Sequence, residues 1–142
     1  MKITAQQIAA ISEDLQCGFN TYINRATYEV KSILDIESLY GDTEIWEEEL
    51  EKLEKEWKNF FVIFKLKSWG FFKIMEDFVN EVDEDLQRVL VRILNNRRPF
   101  AHFKASVEDS RYRQDWFDFL NINYEKYIRE RLEEEGIVFE ED

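Results

Sequence analysis

One short run limits what this chain can fold into. Residues 60–66 read Phe-Phe-Val-Ile-Phe-Lys-Leu, rich in β-formers and apolar on both alternations at the start. A strand of that kind needs cover on both faces, so it belongs inside a sheet protected by other elements rather than at an edge open to water. It is also far too short to cross a bilayer. The run is therefore expected at the centre of a small sheet, with helices supplying the cover.

Helical and strand patterns flank it. Thr4 followed by Gln7 reads as a capping box, with Ile8, Ile11 and Leu15 on one face and Gly18 as the stop. Residues 19–23 and 27–33 alternate as two strands joined by a turn at Asn24-Arg25-Ala26. A helix capped by Asp42 or Thr43 carries the stripe Trp46, Leu50, Leu53 and Trp57, with an acidic, solvated opposite face. Beyond the central run, Ser68 caps a helix bearing Phe71, Met75 and Phe78, and Asp83 caps one bearing Leu86, Leu90 and Ile93. Pro99 opens a short helix with Phe100, Phe103 and Val107 inward, since proline at the first helical position loses no needed N–H. Asp109 or Ser110 caps a long last helix, which Gly136 ends. The fold class is α+β: a small, mainly antiparallel three-stranded sheet, an N-terminal helix and a C-terminal bundle of about four helices. With 142 residues and 44 % apolar content, one core suffices. A single domain over 1–142 is expected, its α/β part about 1–67 and its helical part about 68–142.

Charge narrows the function. There are 31 carboxylates against 19 Lys and Arg, a net −12, and a field of that sign repels nucleic acid and anionic lipid over most of the surface. Cys17 stands alone, which excludes an internal disulfide and a multi-thiolate metal site. With no secretion signal or membrane anchor visible, a cytoplasmic protein without a membrane partner is the expectation. Residues 86–113 depart from the rest: Arg88, Arg92, Arg97, Arg98, Lys104, Arg111 and Arg113 stand against only Glu108 and Asp109, seven to two. That segment is +5, so the remainder is −17. Arg97-Arg98 fall at a helix-to-helix turn, where guanidinium groups beside free helical N–H groups would cradle an anion. The competing reading is neutralisation, by the chain's own carboxylates or by helix C-termini.

Catalytic equipment is sparse. His102 is the only histidine, and no nucleophile or orienting group can be named beside it. Neighbouring acids such as Glu76-Asp77 diverge around a helix instead of converging on one ion. No Gly-rich phosphate loop, serine elbow or metal-spaced histidine pair occurs, so no cofactor, metal or catalytic set is expected. Aromatics are plentiful, and Trp69, Phe72, Trp116 and Phe117 are candidates for a hydrophobic contact surface as well as for the core. The leading expectation is a cytosolic protein-binding or regulatory module, meeting a protein partner or a second copy through Arg88, Arg92, Arg97, Arg98, His102, Lys104, Arg111 and Arg113. The alternative is phosphate-backbone or nucleotide binding by the same arginines, and a third is an enzyme using His102 with a nearby carboxylate.

Three segments carry a family resemblance: Met75-Glu76-Asp77-Phe78-Val79, the stretch 94–104 (Leu-Asn-Asn-Arg-Arg-Pro-Phe-Ala-His-Phe-Lys), and Trp116-Phe117. Together they resemble the bacterial uncharacterised protein family numbered 0158, over about residues 68–137. The recurrent Arg, Phe, Phe and Lys of that family correspond to Arg97, Phe100, Phe103 and Lys104, while Asn96 stands where the family usually has glycine. The resemblance implies an architecture and a motif surface. It implies no reaction, because the family has no established activity.

Overall fold

The computed structural model describes residues 1–34, 51 and 57–141. It divides into a sheet unit, Met1–Lys65 with Tyr124–Asp142, and a helical unit, Leu66–Asn123. The expected helix with Trp46, Leu50 and Leu53 lies outside the described residues. No helix among the described residues is long and apolar enough to cross a membrane.

In the sheet unit, α1 (Ala5–Gln16) starts at the expected capping box: the Thr4 hydroxyl accepts the Gln7 N–H at 3.1 Å, and Gln7 Oε1 accepts the Thr4 N–H at 2.9 Å. Its Ile8, Ile11 and Leu15 are buried, and the helix packs on β1 (Phe19–Asn24). Gly18, at φ +95°, turns the chain between them.

The sheet holds a correction. β1 pairs antiparallel with both β2 (Val30–Leu34) and β3 (Phe60–Ile63), giving the order β2-β1-β3. The centre is thus the polar-looking strand, and the apolar run expected there is an edge. Buried polar groups are stable when bonded, and each one in β1 has a partner. Asn20 Oδ1 accepts the Lys65 N–H at 2.9 Å, and Thr21 Oγ1 meets Ser32 Oγ at 3.0 Å. Asn24 Oδ1 accepts the N–H groups of Ala26 and Thr27 and so builds the hairpin turn. β3 obtains its cover differently: Phe61 and Ile63 are buried, and the Val62 and Phe64 carbonyls accept Arg131 Nη2 at 3.0 Å and the Tyr127 hydroxyl at 2.8 Å.

The helical unit contains α2 (Ser68–Phe78), a 3-10 turn (Val79–Glu81), α3 (Glu84–Leu94), α4 (Pro99–Glu108) and the start of α5 (Arg113–Glu134). Lys67, not Ser68, is the N-cap of α2, and its side chain makes no capping bond. Asp83 caps α3 as expected, its Oδ1 accepting the Leu86 N–H at 2.9 Å. Pro99 is the first residue of α4. Trp116 of α5 is 3 % exposed, and the rings of Phe78 and Phe103 lie 5.1 and 5.2 Å from it, with Phe71 at 6.1 Å, all tilted or edge-on. Each such pair adds about 0.5–1.5 kcal/mol beyond its buried area.

α5 runs from the helical unit into the sheet unit, where it ends in a Schellman motif. The Ile137 N–H bonds the Leu132 carbonyl at 2.9 Å, the Gly136 N–H bonds Glu133 at 3.0 Å, and the side chains of Leu132 and Ile137 are buried. Phe139 then bridges Ile3 in parallel. Gly136 sits at φ +70° with open space where a Cβ would project, so only backbone conformation opposes a side chain there. Gly136→Ala should therefore lower the urea-unfolding free energy by about 1 kcal/mol without altering the fold.

Candidate functional site

The turn 95–98 prepares the candidate site. At the end of α3, the amide nitrogens of Asn95 and Asn96 donate to the carbonyls of Val91 and Arg92. The Arg92 carbonyl, one of those left free at a helix C-terminus, is thereby occupied, and the Val91 carbonyl also accepts the Asn95 backbone N–H at 3.2 Å. The chain then reverses through Arg98, which adopts a left-handed conformation at φ +53°, ψ +52°. That costs a non-glycine residue about 1–2 kcal/mol, and a residue before proline ordinarily stays extended.

An open depression of about 420 Å³ lies beside this turn, lined by Arg92, Ile93, Asn96, Arg97 and His102. All but Ile93 are exposed. Among the described residues, no carboxylate lines it. The arrangement offers hydrogen-bond donors, two of them planar guanidinium forks suited to carboxylate or phosphate.

The other cations fare differently. Arg111 is tied down, its Nη2 3.0 Å from Asp83 Oδ2 and 2.9 Å from the Tyr112 hydroxyl, with the guanidinium 5.0 Å over the Tyr112 ring. Arg113 stacks on Phe117 at 5.6 Å. Arg88 stands 3.9 and 3.7 Å from Glu84 and Asp85, exposed pairs that contribute little. Among the described residues, the side chains of Arg92, Arg97, Arg98, His102 and Lys104 make no hydrogen bond or ion pair. Of these, Arg92, Arg97 and His102 line the depression, and Arg98 and Lys104 do not.

The aromatic candidates separate as well. Trp69 is 76 % exposed and lines a second depression, of about 680 Å³, with Ser68, Phe72, Lys73, Glu76 and Phe100. Trp116, a candidate both for a contact surface and for the core, is core, because Phe71, Phe78 and Phe103 enclose it. Phe117 is half-buried under Arg113. Phe100 and His102 are two residues apart on α4, about 200° around the helix. With Phe103 buried between them, the donor-lined and aromatic depressions fall on opposite flanks of that helix.

Sequence reasoning missed the contact of Asp83 with Arg111 and Tyr112, which closes 28 and 29 residues. The Asp83 carboxyl is held below its ordinary range, first by the Leu86 N–H and then by the Tyr112 hydroxyl and Arg111. A carboxyl lowered in the folded state contributes stability that is complete above its unfolded value, near ~3.9, and is lost as pH falls through the folded value. Asp83→Asn keeps an N-cap oxygen but removes the charge. Its melting temperature should lie below wild type at neutral pH, and the difference should shrink below about pH 4.

An α+β protein whose helical unit places exposed guanidinium groups around an open depression is the class these features define. The chain belongs to the Uncharacterised protein family (UPF0158), whose model matches residues 8–142. No curated protein and no solved structure matches it.

Proposed function

We propose that this protein is a cytoplasmic binding module whose helical unit receives an acidic segment of a partner protein on Arg92, Arg97 and His102. The supporting observation is that these three residues line one depression, none with a carboxylate partner among the described residues, in a chain of net charge −12. In such a molecule intramolecular pairing is the ordinary fate of a cation. Among the described residues Arg97 and Arg92 have no such partner, and on this reading they meet an outside anion. Charge complementarity at an exposed rim favours fast, salt-sensitive association over high affinity.

A second reading, phosphate binding from a nucleotide or a nucleic-acid backbone, draws on the same residues. The observation favouring it is that two guanidinium forks line a depression of about 420 Å³, within the range of small-molecule sites. The remaining field opposes a long polyanion.

Titration of the full chain with a poly-glutamate peptide and with a single-stranded oligonucleotide, across a salt series, tests both. The acidic peptide should bind at low ionic strength, and Arg92→Glu with Arg97→Glu should weaken it by about ten-fold or more. Equal binding by wild type and the double variant would remove the partner reading. An oligonucleotide that binds more tightly than the peptide, with a steep salt slope, would put the phosphate reading in its place.

A further inference from the structure

An apolar strand at the edge of a sheet is a template for another strand unless something blocks it, and β3 is such a strand. Residues 60–64, Phe-Phe-Val-Ile-Phe, carry no charge, no proline and no glycine, the composition of segments that pair with copies of themselves. The Asn59 carbonyl accepts the Arg25 N–H, and in an antiparallel pair alternate residues face the partner. Residues 59, 61 and 63 therefore point their backbone groups at β1, and residues 60, 62 and 64 point theirs away from it.

Two side chains of α5 stand on that outer edge. The Val62 carbonyl accepts Arg131 Nη2 at 3.0 Å and the Phe64 carbonyl accepts the Tyr127 hydroxyl at 2.8 Å, so two successive outward acceptors are taken. The spacings match: four residues of helix advance about 6 Å, and two residues of strand about 7 Å. Arg131 is itself held by Glu134 and Glu135, at 2.8 and 3.2 Å, and Glu135 by Arg25 at 2.7 Å. The N–H groups of Val62 and Phe64 make no hydrogen bond among the described residues. A strand added here would exchange both N–H and carbonyl bonds with Val62, and its backbone would lie about 4.8 Å away, in the space that the two side chains enter.

We propose that Tyr127 and Arg131 form a latch that keeps the outer edge of β3 from pairing with β3 of a second copy of this chain. Register identifies the excluded strand. Antiparallel pairing about a two-fold axis at Val62 sets residue 62 against 62 and 60 against 64, so the outward residues meet one another and no like charges are opposed. A second copy supplies that match by symmetry. The latch lies in the sheet unit and uses none of the residues of the basic depression, so it stands or falls apart from the acidic-partner reading.

The test is sedimentation and amide hydrogen exchange of the full chain at high ionic strength, where repulsion between copies of charge −12 is screened. Tyr127→Phe with Arg131→Met removes both donors while keeping the ring and most of the stem. This variant should self-associate about ten-fold more tightly than wild type, and the associated form should protect the Val62 and Phe64 amides. Tyr127→Phe alone deletes one oxygen and should shift association in the same direction by less. Adding Val62→Lys to the double variant should reverse the association, because the two lysines would face each other across the two-fold axis. Association no tighter than wild type in the double variant, or in Tyr127→Phe where the double variant does not fold, would overturn the proposal. So would association that leaves the Val62 and Phe64 amides unprotected or that survives Val62→Lys, since another surface would then be responsible. A wild-type dimer that already protects these amides would show that no latch closes the edge.

Discussion

The helical unit is assembled around Trp116. Its indole receives Phe71 and Phe78 from α2 and Phe103 from α4, so one side chain of α5 fixes two other helices at once. Interiors are close-packed, and a ring held by neighbours on several sides leaves little freedom to the backbones that carry them. The anchoring of Phe103 sets the rotation of α4. With that rotation fixed, Phe100 must emerge on one flank and His102 on the other. The two depressions, one donor-lined and one aromatic, thus follow from a single buried contact.

Local signals made part of this legible. The Thr4 capping box, the Asp83 cap, Pro99 at the head of α4 and Gly136 after α5 each depend on residues a few positions apart, and each stands where the pattern placed it. Long-range satisfaction was not legible. Asn20 looked like the wet side of a half-buried strand, because nothing nearby reveals that Lys65 will bond it across 45 residues. The apolar run 60–66 looked central because the covering groups, Tyr127 and Arg131, are amphipathic residues more than sixty positions away. Ser68 misled for a different reason: a good capping residue was present, but the helix started one position earlier. At the candidate site the excess of cations was visible in the composition. Which of them converge was not, since Arg111 and Arg113 belong to the same segment and are absorbed by Asp83 and by the rings of Tyr112 and Phe117.

Elsewhere the chain shows how it treats a cation it needs for structure. Arg131 reaches the Val62 carbonyl and two carboxylates, Glu134 at 2.8 Å and Glu135 at 3.2 Å, and Glu135 also accepts Arg25 at 2.7 Å. Arg25 in turn lies 5.1 Å over the Phe61 ring. The Glu135 carboxyl is held below its ordinary range, chiefly by the Arg25 hydrogen bond. Through Arg131 this group ties the Val62 carbonyl of β3 to the last turn of α5. Arg92 and Arg97 differ from these in being unpaired among the described residues, next to helix carbonyls that Asn95 and Asn96 have already taken.

That contrast bears on why the turn 95–98 is built at a conformational cost. Arg98 holds a left-handed backbone where an extended one is ordinary before proline. Glycine would hold it without strain, and the penalty for arginine must be met by what the turn secures. Arg92 of α3 and Arg97 of the turn itself line one depression with His102 of α4. Neither helix alone could do so: Arg92 and Arg97 are five apart, and the third donor lies beyond a helix-breaking proline. The strain therefore sits beside a depression to which the turn and two helices contribute donors, while the packing of Phe103 against Trp116 holds α4 in position.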